Sequence, residues 1–287
     1  MSKTREFKRR IRSVDNTRQI TRTMEMVATS KLKRCSDRVY AARPYGEALE
    51  EVVRSLYNPE LAGRFPLMRK PDEIQRVAIL LLTANRGLAG AFNVNLIRKA
   101  VEVLQESREK GREVELHVVG KKGISFFRFQ GEEMASRDTS LTDYPSPEDA
   151  QRLVGGLQER FEAGELDQVF VVGSKFHSAL STPPTAREIL PIRAPEGERT
   201  LPENYILSPS GDLILARLLP LYIRNQLFQA LLETAAAEQG ARRVAMKNAT
   251  DNASEMLDDL KLSYNRVRQA QITQEIAEIV GGAAAFD

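Results

Sequence analysis

Ser174 and His177 lie three residues apart at the end of an apolar run. At that spacing a hydroxyl nucleophile and a general base can meet at a strand end, but no acid is placed to complete a triad with them. His117, the other histidine, alternates into a strand-like stretch and reads as a core or edge histidine. The adjacent acids Glu132-Glu133 and Asp258-Asp259 read as solvated pairs. Two histidines and one cysteine leave almost nothing for a transition-metal site. Cys35, alone, has no internal disulfide partner and fits a reducing compartment. Two glycine-bearing stretches, "RGLAG" (86–90) and "GKKG" (120–123), complete neither a phosphate loop nor a dinucleotide fingerprint. They read as tight strand-to-helix turns. The sequence therefore offers no catalytic set and implies no cofactor.

The proline distribution outlines the elements around these residues. Pro44 is the only proline before Pro59, none follows Pro220, and the rest fall between 59 and 209. The two chain ends thus read as long helices flanking a folded insert. Over the first helix, from about residue 3 to about 57, the apolar stripe begins Phe7, Ile11, Val14. It breaks through 15–19, resumes with Ile20, Met24, Val27, and continues Leu32, Cys35, Val39, Ala42. In the last helix Ile223, Leu227, Ala230, Thr234, Ala237, Ala241 and Val244 step by four and three. Leu257, Leu260, Tyr264 and Val267 follow, with Gln271 and Gln274 in phase. That spacing averages 3.5 residues and predicts a left-handed supercoil, with Ala and Thr allowing close approach. At ~1.5 Å per residue the first helix alone is roughly 80 Å long. The middle alternates: strands at 76–85, 114–120, 168–176 and 187–192, helices at 93–111 and 146–164, the latter opened by Ser146, Pro147 and two acids. The expected fold is α/β: an antiparallel coiled coil of long N- and C-terminal helices with an inserted doubly wound (Rossmann-like) α/β domain. The expected division is 1–58 with 209–287 for the coiled coil, 74–194 for the α/β domain, and 59–73 and 195–208 as connectors.

Charge is unevenly distributed. Residues 1–57 hold 14 Lys/Arg against 7 Asp/Glu, a balance of +7; residues 221–287 hold 7 against 9, a balance of −2. A basic first segment suggests an acidic partner, either nucleic acid or an acidic protein surface. Met24 and Met26 are two apart and cannot share one stripe, so at least one points away from the helix partner. No window approaches ~18 uncharged apolar residues, so no membrane-spanning helix is expected, and the basic N-terminus lacks the apolar segment of a secretion signal. The last residues, "ITQEIAEIVGGAAAFD" (272–287), grow less polar toward the end and run through small side chains at 281–285.

Three stretches carry a family resemblance: "VDNTRQITRTMEMVATSKLKR" (14–34), "TANRGLAGAFNVN" (83–95) and "VAMKNATDNASEMLDDLKLSYNRVRQAQITQEIAEIVGGAAA" (244–285). Over essentially its full length the chain resembles the gamma subunits of F-type ATP synthases, the central rotor stalk. The resemblance implies a non-catalytic subunit whose coiled coil turns inside a ring of three alpha and three beta subunits. Catalysis would lie on the beta subunits. The α/β domain and the foot would meet the epsilon subunit and the membrane ring of c subunits, whose proton or sodium flow drives rotation. No nucleic acid is implied, and membrane association would be peripheral, through the c ring only, at the cytoplasmic face of a bacterial inner membrane. By the same resemblance Met24 meets a beta-subunit lever, Arg268, Gln269 and Thr273 take part in rotor–beta coupling, and Tyr205, in "ENYILSPSG", approaches epsilon and the c ring. The small-sided tail would turn within an apolar collar.

Two positions depart from that family's pattern. Asn85 stands where Asp usually precedes Arg86-Gly87-Leu88, so an ion pair there is in doubt. Ser208 stands where Glu often precedes Pro209. The chloroplast members' cysteine-bearing insertion is absent. Two other readings remain open: a nucleotide-dependent enzyme built on the α/β domain, and a basic coiled coil for nucleic acid.

Overall fold

A computed structural model describes residues 3–57, 64–71, 73–193 and 211–283. The chain divides into two compact units, Met1–Ala28 with Arg243–Asp287, and Thr29–Arg242.

Helix α1 (Lys3–Leu56) and the last helix, α5 (Gly211–Ala283), each contribute to both units. In the smaller unit they run antiparallel. Thr4 donates its hydroxyl to Gln271 Oε1, the Lys8 ammonium lies over the Tyr264 ring, and Thr250 Oγ1 donates to Thr21 Oγ1 at 2.8 Å, so rising numbers on one helix meet falling numbers on the other. Leu257, Leu260, Tyr264 and Val267 lie on the covered side of α5, as the spacing predicts, whereas Gln274 is exposed.

The seam of α1 differs from the expected stripe. Thr21 and Ala28 are buried and Arg18 is half-buried, while Ile20 is 60% and Val27 50% exposed. The buried row therefore does not break at 15–19. It passes through polar residues whose groups find local partners: Arg18 binds the Asp15 carboxylate at 2.8 Å, and Thr21 Oγ1 donates to the Arg18 carbonyl at 3.0 Å. A hydroxyl satisfied within its own helix enters a seam without an unmet hydrogen bond.

The larger unit holds a five-stranded sheet of order β3-β2-β1-β4-β5, built from β1 (Arg76–Leu82), β2 (Glu113–Val119), β3 (Ser136–Asp138), β4 (Gln168–Ser174) and β5 (Pro184–Leu190). The first four are parallel, and β5 lies antiparallel beside β4. Helices α2 (Phe92–Glu109), α3 (Lys121–Gln130) and α4 (Pro147–Glu162) make the crossovers. Alternate residues of β1 enter different cores, which is why the strand reads as one apolar run. Val77, Ile79 and Leu81 pack with Leu96, Leu104 and Phe127 of α2 and α3. Ala78, Leu80 and Leu82 pack with Val154 and Phe161 of α4 and with Leu219 and Ile223 of α5. Within this unit α1 and α5 also pack together, through Leu32, Cys35 and Val39 against Leu232 and Ala236.

The stretch 86–90 is a strand-to-helix turn, as expected, whereas of 120–123 only Gly120 lies in the turn. Gly120 has φ +96°, and a Cβ there would lie 2.1 Å from the Thr83 carbonyl oxygen, so glycine is required. Ser146 opens α4 with a full capping box: its hydroxyl accepts the Asp149 amide while the Asp149 carboxylate accepts the Ser146 amide. Two elements were not foreseen. Strand β3 is three largely exposed residues with no apolar alternation, held by backbone pairing to β2. Helix α3 begins inside "GKKG", at Lys121, so that Lys121, Lys122 and Gly123 form its first turn and only Gly120 precedes it.

Candidate functional site: the helical surfaces and the crevice of the sheet

The smaller unit carries four of the residues singled out in sequence. Met24 is half-buried on the seam side, and Met26, 59% exposed, is the methionine that points away. Ile20 and Val27, seven apart and so on one side of the helix, are exposed too, and so is Arg22, four residues before Met26. Arg268, Gln269 and Thr273 are all exposed, and Thr273 Oγ1 donates back to the Gln269 carbonyl at 3.0 Å. Beside them Ile272, Ile276 and Ile279 recur at helical spacing and are also exposed. The tie between Thr4 and Gln271 places this cluster at the start of α1. Met24 lies about 30 Å further along that helix. The structure thus brings Arg268, Gln269 and Thr273 together and leaves Met24 apart from them. Such spacing suits an extended contact with another macromolecule and not a pocket. Tyr205 and Ser208 lie outside the described residues, as do 284–287 of the tail.

The larger unit has a cleft of about 410 Å³ where a doubly wound sheet keeps its ligand, beyond the carboxyl ends of β1 and β2. Thr83, Asn85, Arg86, Lys121, Asp143 and Glu238 are among its lining residues. A phosphate there would need the amides that begin α3. Those amides are already engaged: Lys121 N–H by Asn85 Oδ1 at 3.1 Å, Lys122 N–H by the Ala84 carbonyl at 3.1 Å, and Gly123 N–H by Thr83 Oγ1 at 3.0 Å. Helix α5 fills the other side. Thr234 Oγ1 takes the Ser174 amide, and Gly173 is approached so closely that a Cβ would lie 2.8 Å from that same oxygen. The small residues of α5 that sequence reading assigned to a helix–helix seam serve this approach to β4 as well.

Asn85 resolves one departure. Its amide nitrogen donates to the carbonyls of Thr139 (3.1 Å) and Leu141 (2.9 Å), while its oxygen caps α3. Two of three partners are acceptors, so the site calls for an amide and not a carboxylate. Nearby, Arg242 pairs with Glu238 at 2.6 Å and donates to the Gly87 carbonyl at 3.3 Å. Burial raises the Glu238 carboxyl above its ordinary value although the Arg242 charge opposes this. The ties of Asn85 to Thr139, Leu141 and Lys121, and of Arg242 to Gly87, had no signal in sequence, because each joins segments far apart in the chain, whereas Glu238 and Arg242 are a local i,i+4 pair.

The remaining candidates are structural. Ser174 Oγ donates to the Thr182 carbonyl at 2.9 Å. His117 bridges β2 and β3, with Nδ1 2.7 Å from Ser136 Oγ, and burial depresses its pKa. Its neighbour Glu115 is held by both terminal nitrogens of Arg160, which lowers its carboxyl pKa. Asp258 and Asp259 are exposed as expected, Asp258 within 3.5 Å of the Lys261 ammonium, and Glu132 is ion-paired to Arg108. The Cys35 thiol is buried, 3.6 Å from the Asp143 carbonyl, and desolvation followed by the Asp143 charge pushes its pKa up to about 11. Among the described residues no three His, Cys, Asp or Glu side chains gather as a metal site, and no helix is long and apolar enough to cross a membrane.

Comparison with known proteins adds the family. The model of a family described as ATP synthase matches residues 3–286. An ATP synthase gamma chain of Gemmatimonas aurantiaca is 57% identical over 100% of this chain and 99% of its own length. One from Leptospira biflexa is 44% identical over the whole of both chains. Among solved structures, a chain of the Tetrahymena thermophila mitochondrial ATP synthase central stalk and c-ring shares the fold at a TM-score of 0.63. It is 22% identical, over 80% of this chain and 99% of that one. A chain of the Euglena gracilis mitochondrial ATP synthase rotor does so at 0.64, with 18% identity over 94% and 98%.

Proposed function

The chain belongs to the ATP synthase gamma-chain family, and from that premise we propose that it is the central shaft of an ion-driven ATP synthase. In this reading it carries rotation of a membrane c ring to catalytic sites on beta subunits and has no active site of its own. Its coiled coil turns within three alpha and three beta subunits, and its α/β domain and foot meet epsilon and the c ring. The complex lies at the cytoplasmic face of a bacterial inner membrane, and this chain reaches the membrane only through the c ring. The shaft comprises 1–58 and 209–287, and 74–194 form the α/β domain.

The observation that carries this reading is the exposed surface of the smaller unit. Ile20, Met26 and Val27 on one helix, and Ile272, Ile276 and Ile279 on the other, present apolar area to a partner. The exposed Arg22, four residues before Met26, adds a cation beside it. An acidic surface would be drawn to it through screened contacts that exchange between rotational positions. Small and apolar side chains add no directional bonds that trap one angle. Met24 supports the first patch from the seam, while Arg268, Gln269 and Thr273 form the polar part of the second. Tyr205 is assigned to the foot.

Adding the purified chain to matching alpha and beta subunits tests this. Steady-state ATP hydrolysis should rise strongly only in the mixture, with one copy entering per three alpha–beta pairs. Turnover by the chain alone, or failure to enter the ring, would overturn the proposal.

A further inference from the structure

The segment 139–145 joins β3 to α4 and grips α1. The Asp143 carboxylate holds the Lys31 ammonium, the Asp143 carbonyl receives the Cys35 thiol at 3.6 Å, and the Pro145 carbonyl receives Arg38 Nη2 at 2.6 Å. Arg38 also lies over the Tyr144 ring, 5.9 Å from its centre. Every one of these ties leaves the same short strap and reaches the same helix. At its β3 end the Asp138 carboxylate holds the Ser140 amide and hydroxyl at 2.7 and 2.8 Å. Between that end and the grip, Asn85 ties the strap to the loop that leaves β1, through the Thr139 and Leu141 carbonyls. Asn85 is itself fixed, because it lies three residues beyond β1 and its oxygen is bound to the first amide of α3. A rigid strand end, a neutral amide, a strap and the shaft helix therefore form one continuous chain of hydrogen bonds and ion pairs.

We infer that Asn85 is a positioning residue for torque transfer: it holds the 139–145 strap at the height where Asp143 and Pro145 grip α1, so that the α/β domain and the shaft helix turn together. This rests on the rotor reading above. The chemistry demands an amide, since a carboxylate could still accept the Lys121 amide but could donate to neither strap carbonyl. Asn85→Asp therefore separates the two roles, keeping the cap of α3 and releasing the strap. Asn85→Ala removes both.

The test uses the assembled complex and the free chain. In the free chain, Asn85→Asp should speed amide hydrogen exchange across 139–145 by about fivefold to thirtyfold, the factor for losing one or two hydrogen bonds, while 121–124 remain protected. In the complex reconstituted in vesicles, the ratio of ATP-driven ion pumping to ATP hydrolysis should fall while hydrolysis is retained. Lys31→Met, which removes the ion pair of the grip directly, should lower the same ratio. The double variant should be no worse than the weaker single one, because both act through one strap. Loosened exchange with an unchanged pumping ratio would overturn the positioning role and leave the rotor reading intact. Unchanged exchange would overturn the strap itself. Additive losses in the double variant would place Asn85 outside the Lys31–Asp143 connection. A native chain that fails to enter the ring would instead mark failure of the rotor reading, before any variant is compared.

Discussion

The Ser174 amide donates to Thr234 Oγ1 at 3.1 Å, joining the carboxyl end of β4 to the middle of α5. Both residues are buried, so the bond forms away from water, and it lies where a doubly wound sheet would otherwise open to a ligand. Replacing Thr234 with Val keeps the volume and strands a buried N–H. The expected cost is about 1–3 kcal/mol, measured by urea unfolding with an unchanged slope.

A second prediction concerns Gly120. In Gly120→Ala the new methyl would meet the Thr83 carbonyl at 2.1 Å in a backbone region that side chains rarely adopt. Backbone cannot yield as a flexible side chain can, so the variant should lose more than about 2 kcal/mol. Gly111, also at positive φ but with nothing within 4 Å of the added Cβ, should lose less when changed to Ala. Comparing the two melting temperatures separates the collision from the backbone strain.

Cys35 gives a pH dependence with a definite sign. Its thiol pKa is raised from 9.0 to about 11 by burial and by Asp143. The folded state thus holds the proton more tightly than the unfolded chain. The contribution is complete below pH 9 and is lost as pH rises toward about 11. Stability should fall over that window, and Cys35→Ala should flatten the fall. At pH 8 the folded chain should resist iodoacetamide and label only on unfolding.

On the rotor reading, Met24→Lys should lower the ratio of ion pumping to hydrolysis more than it lowers assembly. It places an ammonium group on the half-buried side of α1, beside the exposed Ile20 and Val27 at i−4 and i+3. Full coupling in the variant would remove Met24 from the contact.

The sequence alone determined the elements whose signals are local. The apolar run of β1 announced a strand buried on both faces, and Ser146-Pro147 with two acids announced the start of α4, because a cap and a period each lie within a few residues. The long proline-poor ends announced α1 and α5. Tertiary structure decided the rest. Thr21 is buried and Ile20 exposed because the seam of a helix is set by the partner it meets, and a hydroxyl bonded inside its own helix can be covered as readily as an aliphatic chain. Strand β3 exists only through its pairing with β2. The small residues of α5 could have served any close approach. Which one they serve was fixed when Gly173 and Ser174 of β4 came against Thr234, a meeting of segments about sixty residues apart in the chain that no local pattern records.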